Sequence, residues 1–134
     1  MDNLKAIYLS NSGRLARLPY FLYALGLAVA YVVLMFLLAA ILGHLGILIA
    51  YLLMIFPFFN LMAKRLQDFD KPGKWAWGVI AIGVLGALLG LSESMMALSG
   101  LVSLLHLIVA LIILFMPGTP GANSYGPQPG AAAG

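Results

Sequence analysis

LPYFLYALGLAVAYVVLMFLLAAILGHLGILIAYLLMIFPFFNLMA, residues 18–63, contains no Asp, Glu, Lys or Arg. A run this long and this apolar has lipid as its solvent. A bilayer core of about 30 Å takes roughly 20 helical residues at about 1.5 Å each, so the run is too long for one span and right for two. Gly43-His44-Leu45-Gly46 is the polar, glycine-bearing break inside it, and the chain is expected to turn there. The first span is placed near residues 19–42, with Pro19 tolerated in its first turn, and the second near 45–68. Lys64 and Arg65 fall in the last turn of the second span, where cations suit a helix C-terminus.

Downstream, from Trp75 to the C-terminus, Glu93 is the single charged residue. A charge at the bilayer centre costs roughly 2.5–3.5 kcal/mol on insertion scales, so Glu93 marks a loop at the far surface. The third span is placed near residues 75–91 and the fourth near 95–116, with Ser92 or Ser94 as its N-cap and Pro117-Gly118 as its stop. Four spans leave the N-terminus, the 64–74 connection and the tail on one side. That side holds all seven Lys and Arg, which assigns it to the cytoplasm. Tyr20, Phe21, Tyr23, Trp75 and Trp77 then lie at headgroup level as an aromatic belt.

The expected fold is an all-α integral membrane protein. It has four transmembrane helices in two hairpins, both termini in the cytoplasm, a short N-terminal helix and a Pro/Gly tail. Residues 1–129 form a single domain and residues 130–134 a disordered end. Composition alone reads the whole stretch after Met116 as disordered. The first apolar block is too long for a cleaved signal peptide and reads as a retained anchor. The lack of cysteine excludes disulfides and thiolate metal sites. A net charge of +3 is too small for a nucleic-acid stripe. No Walker-type loop, dinucleotide fingerprint, metal-ligand spacing or activated serine stands out, so neither cofactor nor catalysis is expected.

Three segments fit one pattern. Ser12-Gly13-Arg14-Leu15-Ala16-Arg17-Leu18-Pro19-Tyr20-Phe21 resembles a Gly-Arg-x-x-Arg-x-x-aromatic opening. Ala63-Lys64-Arg65-Leu66-Gln67-Asp68 with Gly73-Lys74-Trp75 resembles an Arg-Arg-Leu-His-Asp…Ser-Gly-Trp-Trp loop. Pro117-Gly118-Thr119-Pro120-Gly121-Ala122-Asn123-Ser124-Tyr125-Gly126-Pro127 resembles a Pro-Gly-Thr-x-Gly-x-Asn-x-Tyr-Gly-Pro tail. In this order around four spans, they resemble the domain-of-unknown-function 805 family of bacterial inner-membrane proteins. The resemblance implies a small inner-membrane protein and brings no activity. Lys64 stands for the first Arg, Gln67 for the His, and Asp70-Lys71-Pro72 and Lys74 alter the loop. Any proton chemistry of the family's His is lost at Gln67.

Two groups of polar residues remain as candidate sites. The first is a cytoplasmic cluster. Arg14 and Arg17 share a face if Ser12 caps a short interfacial helix; Arg65 and Asp68 are i, i+3; Asn60, Lys64 and Asp68 follow at i+4 steps. Asn123 and Tyr125 fold back onto this patch if the tail is functional. Guanidinium groups at headgroup depth take phosphate in a bidentate manner, which suits an anionic lipid. The alternative is structural: the cations set topology, and Arg–Asp pairing ties the N-terminal segment to loop and tail.

The second group is intramembrane. Ser99, Ser103 and His106 form a stripe on the fourth span, and Asn60 lies one turn beyond Pro57 on the second. A mid-membrane His is either a functional group or a neutral ring bonded to a neighbouring carbonyl. Asn60 is suited to backbone groups freed by Pro57. His44 and Glu93 are placed as neighbours in the far-side turns.

Two functional classes follow. One is a non-enzymatic protein that binds an anionic lipid or a membrane-protein partner through Arg14, Arg17, Lys64, Arg65 and Asp68. The other is a subunit of a small oligomeric transporter or channel, resting on His106, Pro57/Asn60 and the glycine faces of the first and third spans. Partners are therefore membrane lipids, a second copy or another membrane protein, and no nucleic acid.

Overall fold

The computed structural model describes residues 2–130. It is all-helical: α1 Asp2–Tyr8, α2 Arg17–Leu42, α3 His44–Asp68, α4 Trp75–Leu89 and α5 Met96–Phe115, with a 3-10 turn at Glu93–Met95. No strand occurs among the described residues. The expected loose end at 130–134 lies, apart from Gly130, outside them.

Three segments are long and apolar enough to cross a membrane: α2, α3, and α5 with its preceding 3-10 turn. At 15 residues, α4 is shorter. It extends about 22 Å and needs the apolar turn after it to complete a crossing. Gly90 to Ser92 leave the helix, so α4 ends earlier than the expected residue 91. Nor does a serine cap α5: the hydroxyls of Ser92 and Ser94 bond each other, and Met95 stands at the N-cap position. Serine–serine pairing leaves the 3-10 turn to lead into α5. Among the described residues His44 and Glu93 make no ion pair.

Helix α2 packs chiefly on α3, and α4 on α5. A single residue, Gly43, joins α2 to α3, with φ at +62°. Its left-handed backbone turns the chain within one position, where a side chain would be strained. Gly46 then lies flat against the end of α2, so closely that a Cβ would overlap the Leu38 carbonyl. The obstacle is backbone, so the turn itself has to open. Gly46→Ala is expected to cost about 1–3 kcal/mol through overpacking. Unfolding by SDS titration reads this directly; unchanged stability would mean that the α2–α3 approach is loose.

Burial is uneven along the bundle. Phe59, Met62, Ala63 and Leu66 of α3 pack with Ala76 and Val79 of α4 and Ile113 of α5. Every residue from Phe59 to Leu66 is buried, so this half of α3 is enclosed on all faces. The other faces of the long helices expose Leu, Ile, Val and Phe along their length, which matches a lipid solvent. Helix α3 runs unbroken through Pro57. Short α1 packs on α3. Tyr8 meets the Tyr23 ring edge-on with centroids 6.1 Å apart, and donates its hydroxyl to the Tyr23 carbonyl at 3.2 Å. Burial, and then the neighbouring Tyr23, raise the pKa of the Tyr8 phenol above its ordinary value.

Candidate functional site

Three helices end at one end of the bundle: α1 at Tyr8, α3 at Asp68 and α5 at Phe115. Each end presents carbonyls with no partner inside its own helix and a negative dipole pole. Each is met by side chains from elsewhere. Lys64 Nζ donates to the carbonyls of Ala6, at 2.7 Å, and Ile7, and Asn60 Nδ2 to that of Tyr8 at 2.8 Å. Arg65 Nη2 donates to Leu114, at 3.2 Å, and to Met116, and its Nη1 to Leu15 at 3.3 Å. Arg14 Nη2 donates to the Asp68 carbonyl at 3.2 Å. In this way a buried Lys and Asn close α1, and a fully buried Arg closes α5.

Asp68 stands at the centre. Its carboxylate accepts Arg14 Nε at 3.0 Å on one oxygen and Arg65 Nη1 at 2.6 Å on the other. All three side chains are 5% exposed or less. Desolvated charges of this kind persist only with close partners and filled hydrogen-bond positions. Arg14 meets that condition fully. Its remaining N–H groups reach Thr119 O at 2.6 Å, Gly121 O at 2.6 Å and Gly126 O at 3.4 Å. Arg65 leaves one donor, Nε, buried without a partner among the described residues.

The tail is folded, against the expectation from its composition. Thr119 donates its amide to the Asp68 carbonyl at 2.9 Å. Asn123 does two jobs. Its Oδ1 accepts the Tyr125 amide at 2.8 Å, which sets the turn, and its Nδ2 donates to Gln67 O at 2.9 Å and Thr119 Oγ1 at 2.8 Å. Asn123 and Gly126 close the turn with mutual backbone bonds. Gly118 lies on the Asp68 carboxylate, where a Cβ would overlap it. The Pro-Gly-Thr…Asn-x-Tyr-Gly sequence is thus the shape that fits over Asp68.

Most of the expected cluster comes together, with changed roles. Arg14, Lys64, Arg65, Asp68 and Asn123 form one network. Tyr125 joins through its backbone, with its side chain half-buried nearby. No interfacial helix capped by Ser12 exists: α1 ends before it, and Arg14 lies in an extended connection. Asn60 caps α1 rather than mending the backbone at Pro57. Arg17 stands apart. It is exposed, and among the described residues its side chain makes one bond, a long 3.5 Å contact from Nη1 to the Phe115 carbonyl. Arg17 borders a cleft of about 200 Å³ shared with Arg14, Asp68, Thr119 and Gln128. Gln67 lies away from that cleft, its Nε2 near Gly73 and its Oε1 buried without a partner among the described residues. The departure from the family's His therefore falls at a packing position beneath the α3–α4 loop.

The spacing did not single out Leu15, Gly118, Thr119 or Gln128. Gly118 and Thr119 were visible inside the tail signature; Leu15 takes part through its carbonyl and left no signal.

Within the spans, α5 faces the glycines of α4. Ser99 Oγ donates to Gly86 O at 2.7 Å, Ser103 lies against Gly86, and His106 against Gly83. Ser99 and Ser103 hold two helices together. The His106 ring is not bonded to a neighbouring carbonyl: it has no hydrogen-bond partner among the described residues and forms part of a cavity wall. No cluster of His, Asp or Glu with metal-binding geometry occurs among the described residues.

An all-helical chain with lipid-facing spans and a polar cap at one end defines a small membrane protein. The family whose description is "Protein of unknown function (DUF805)" matches residues 8–127, and the chain belongs to it. The matched range begins at Tyr8 and ends just after the tail turn, so it takes in Arg14, Arg17, Lys64, Arg65, Asp68 and Asn123, while Ala6, Ile7 and Gln128 lie outside it. No curated protein and no solved structure matches the chain.

Proposed function

We propose that this is a non-enzymatic four-span protein of the bacterial inner membrane, with both termini in the cytoplasm, that binds the phosphate of an anionic lipid at Arg17. The observation that carries this reading is the cleft of about 200 Å³ beside an exposed guanidinium with one long bond. Around it the cap gathers Arg14, Arg17, Lys64 and Arg65, against Asp68 within and Asp70 at the rim. Positive charge is left over at the depth of the headgroups. Arginine meets phosphate with two parallel bonds, and basic pockets at the cytoplasmic face suit anionic lipids. Arg14 and Arg65 support this cleft rather than serve it, since their donors are bonded to the protein or buried. The positive-inside rule supports the orientation.

Native mass spectrometry from mild detergent, with co-purified lipids retained, tests the reading. Wild type is expected to keep phosphatidylglycerol or cardiolipin adducts, Arg17→Gln to lose them at unchanged stability, and the exposed-loop control Lys74→Gln to keep them. Equal adducts on Arg17→Gln sink the proposal. A defined oligomer without selective lipid would favour the oligomeric transporter. Ser99 and Ser103, on which that alternative would draw, face the glycines of α4.

A further inference from the structure

The cleft beside Arg17 has two sides, and they come from different parts of the chain. Arg14, Arg17 and Asp68 belong to the body; Thr119, Gln128 and Pro129 belong to the tail. The cleft therefore has its full shape only while the tail is docked. The tail itself is held unevenly. Its first half is pinned to the body by Thr119 on the Asp68 carbonyl, by Arg14 on the Thr119 and Gly121 carbonyls, and by Asn123 on Gln67. Beyond Gly126 no hydrogen bond reaches the helices among the described residues.

Gln128 bonds back to the tail instead: its Oε1 accepts the Gly121 amide at 2.8 Å. That bond sets the carboxamide, with its oxygen on the backbone and its NH₂ left as a donor. The NH₂ has no partner among the described residues, and the side chain is exposed at the cleft. Arg17 brings donors to the same space from the body. Asp68 adds no free negative charge between them, since each of its oxygens already accepts from a guanidinium.

We propose that a phosphate group in this cleft is shared by Arg17 and Gln128 and thereby fastens the far half of the tail to the helices. The inference rests on the reading of the cleft as a phosphate site, and it adds Gln128 to that site and tail docking to its consequences. Each phosphate oxygen accepts more than one bond, so a pair of bonds from Arg17 leaves acceptor positions for the Gln128 amide. Coupling is reciprocal: a phosphate that favours the docked tail by some factor is bound more tightly by the docked tail by the same factor.

The test uses the full chain in phosphatidylcholine nanodiscs, with or without phosphatidylglycerol, and follows elastase cleavage at Ala122. Cleavage tracks the undocked fraction when docking is fast relative to cutting. Phosphatidylglycerol is expected to slow it about three- to tenfold in wild type, as for one added hydrogen bond. Lys74→Gln, exposed and outside the cleft, should keep that effect, which separates it from bilayer charge. Arg17→Gln should lose both the effect and the lipid adducts. Gln128→Ala should lose the effect and keep adducts, weakened by a similar factor. Gln128→Glu retains an oxygen for Gly121 and gives up the donor, so it too should lose the effect. Protection of wild type by inorganic phosphate alone, in phosphatidylcholine, would keep the clamp and assign it to a soluble ligand, against the lipid reading. Adducts without protection overturn the clamp and leave the lipid reading standing. Full protection in both Gln128 variants also overturns it, and absence of adducts with no protection by either phosphate source removes both.

Discussion

Asp68→Asn is expected to cost about 3–5 kcal/mol, the range for leaving buried charge without its partner. The carboxylate is the shared counter-ion of Arg14 and Arg65, one oxygen to each, at 3.0 and 2.6 Å. An amide keeps one acceptor oxygen and turns its NH₂ towards the other guanidinium, donor against donor. Arg65 cannot escape to water, since it is fully buried. Nor can Arg14 leave without giving up Thr119 and Gly121. Native domains are stable by only about 5–15 kcal/mol, so the loss is a large fraction of the whole. SDS titration should show it, and proteolysis near Ala122 should accelerate as the tail lifts. Asp70→Asn is the control: Asp70 is exposed and accepts a single backbone amide from Ser124 at 3.2 Å. It should stay within about 0.5 kcal/mol of wild type. If Asp68→Asn matches that control, the carboxylate is not what neutralises the two guanidiniums.

The long helices were legible because lipid imposes a simple rule. A chain that lacks charge over a span must keep its backbone bonds internal. Their starts and stops at Leu42, Asp68 and Trp75 follow from Gly43 and the basic loop, and α3 starts at His44, one residue before the expected 45. The end of α4 was not legible, since Gly90 and Leu91 are as apolar as the helix they leave. Helix α1 left no periodic signal in seven residues. A helix that short is marginal alone. It exists because Lys64 and Asn60, more than fifty positions away in sequence, close its C-terminus.

The cap was legible in membership and not in role. Depth follows from span boundaries, so Arg14, Lys64, Arg65 and Asp68 had to share a level. Which donor meets which carbonyl depends on three helix ends arriving together, and no spacing encodes that. The tail shows two readings of one stretch in conflict. Its Pro, Gly and Ala content predicts disorder; its ordered motif predicts a shape. The motif prevails because Asn123 and Thr119 give the chain fixed partners on Asp68 and Gln67. For His106 the stripe was visible, but not the pairing of each polar residue with a glycine of α4, which decided where its ring lies.

Arg14→Lys separates the two tasks that one arginine performs. The positive-inside rule counts charge, and lysine satisfies it as well as arginine. Orientation in the membrane is therefore expected to be unchanged, as read by the side of the membrane from which the tail is accessible. The grip on the tail is another matter. Arg14 spreads rigid donors over Asp68, Thr119, Gly121 and Gly126, which lie in different directions. An ammonium has three donors on a flexible stem and cannot reproduce that fork. The expected cost is about 2 kcal/mol, roughly one charge-assisted hydrogen bond. Tail proteolysis at Ala122 should be several-fold faster, with the long helices intact. Arg14→Ala should cost more, because it also leaves half of the Asp68 carboxylate unpaired while Arg65 holds the rest. Combined with Asp68→Asn, Arg14→Lys should be less damaging than the two losses added, since both break the same contact. Strict additivity would mean that Arg14 acts on the tail carbonyls alone. Unchanged proteolysis in Arg14→Lys would mean that charge, and not the geometry of the guanidinium, keeps the tail in place.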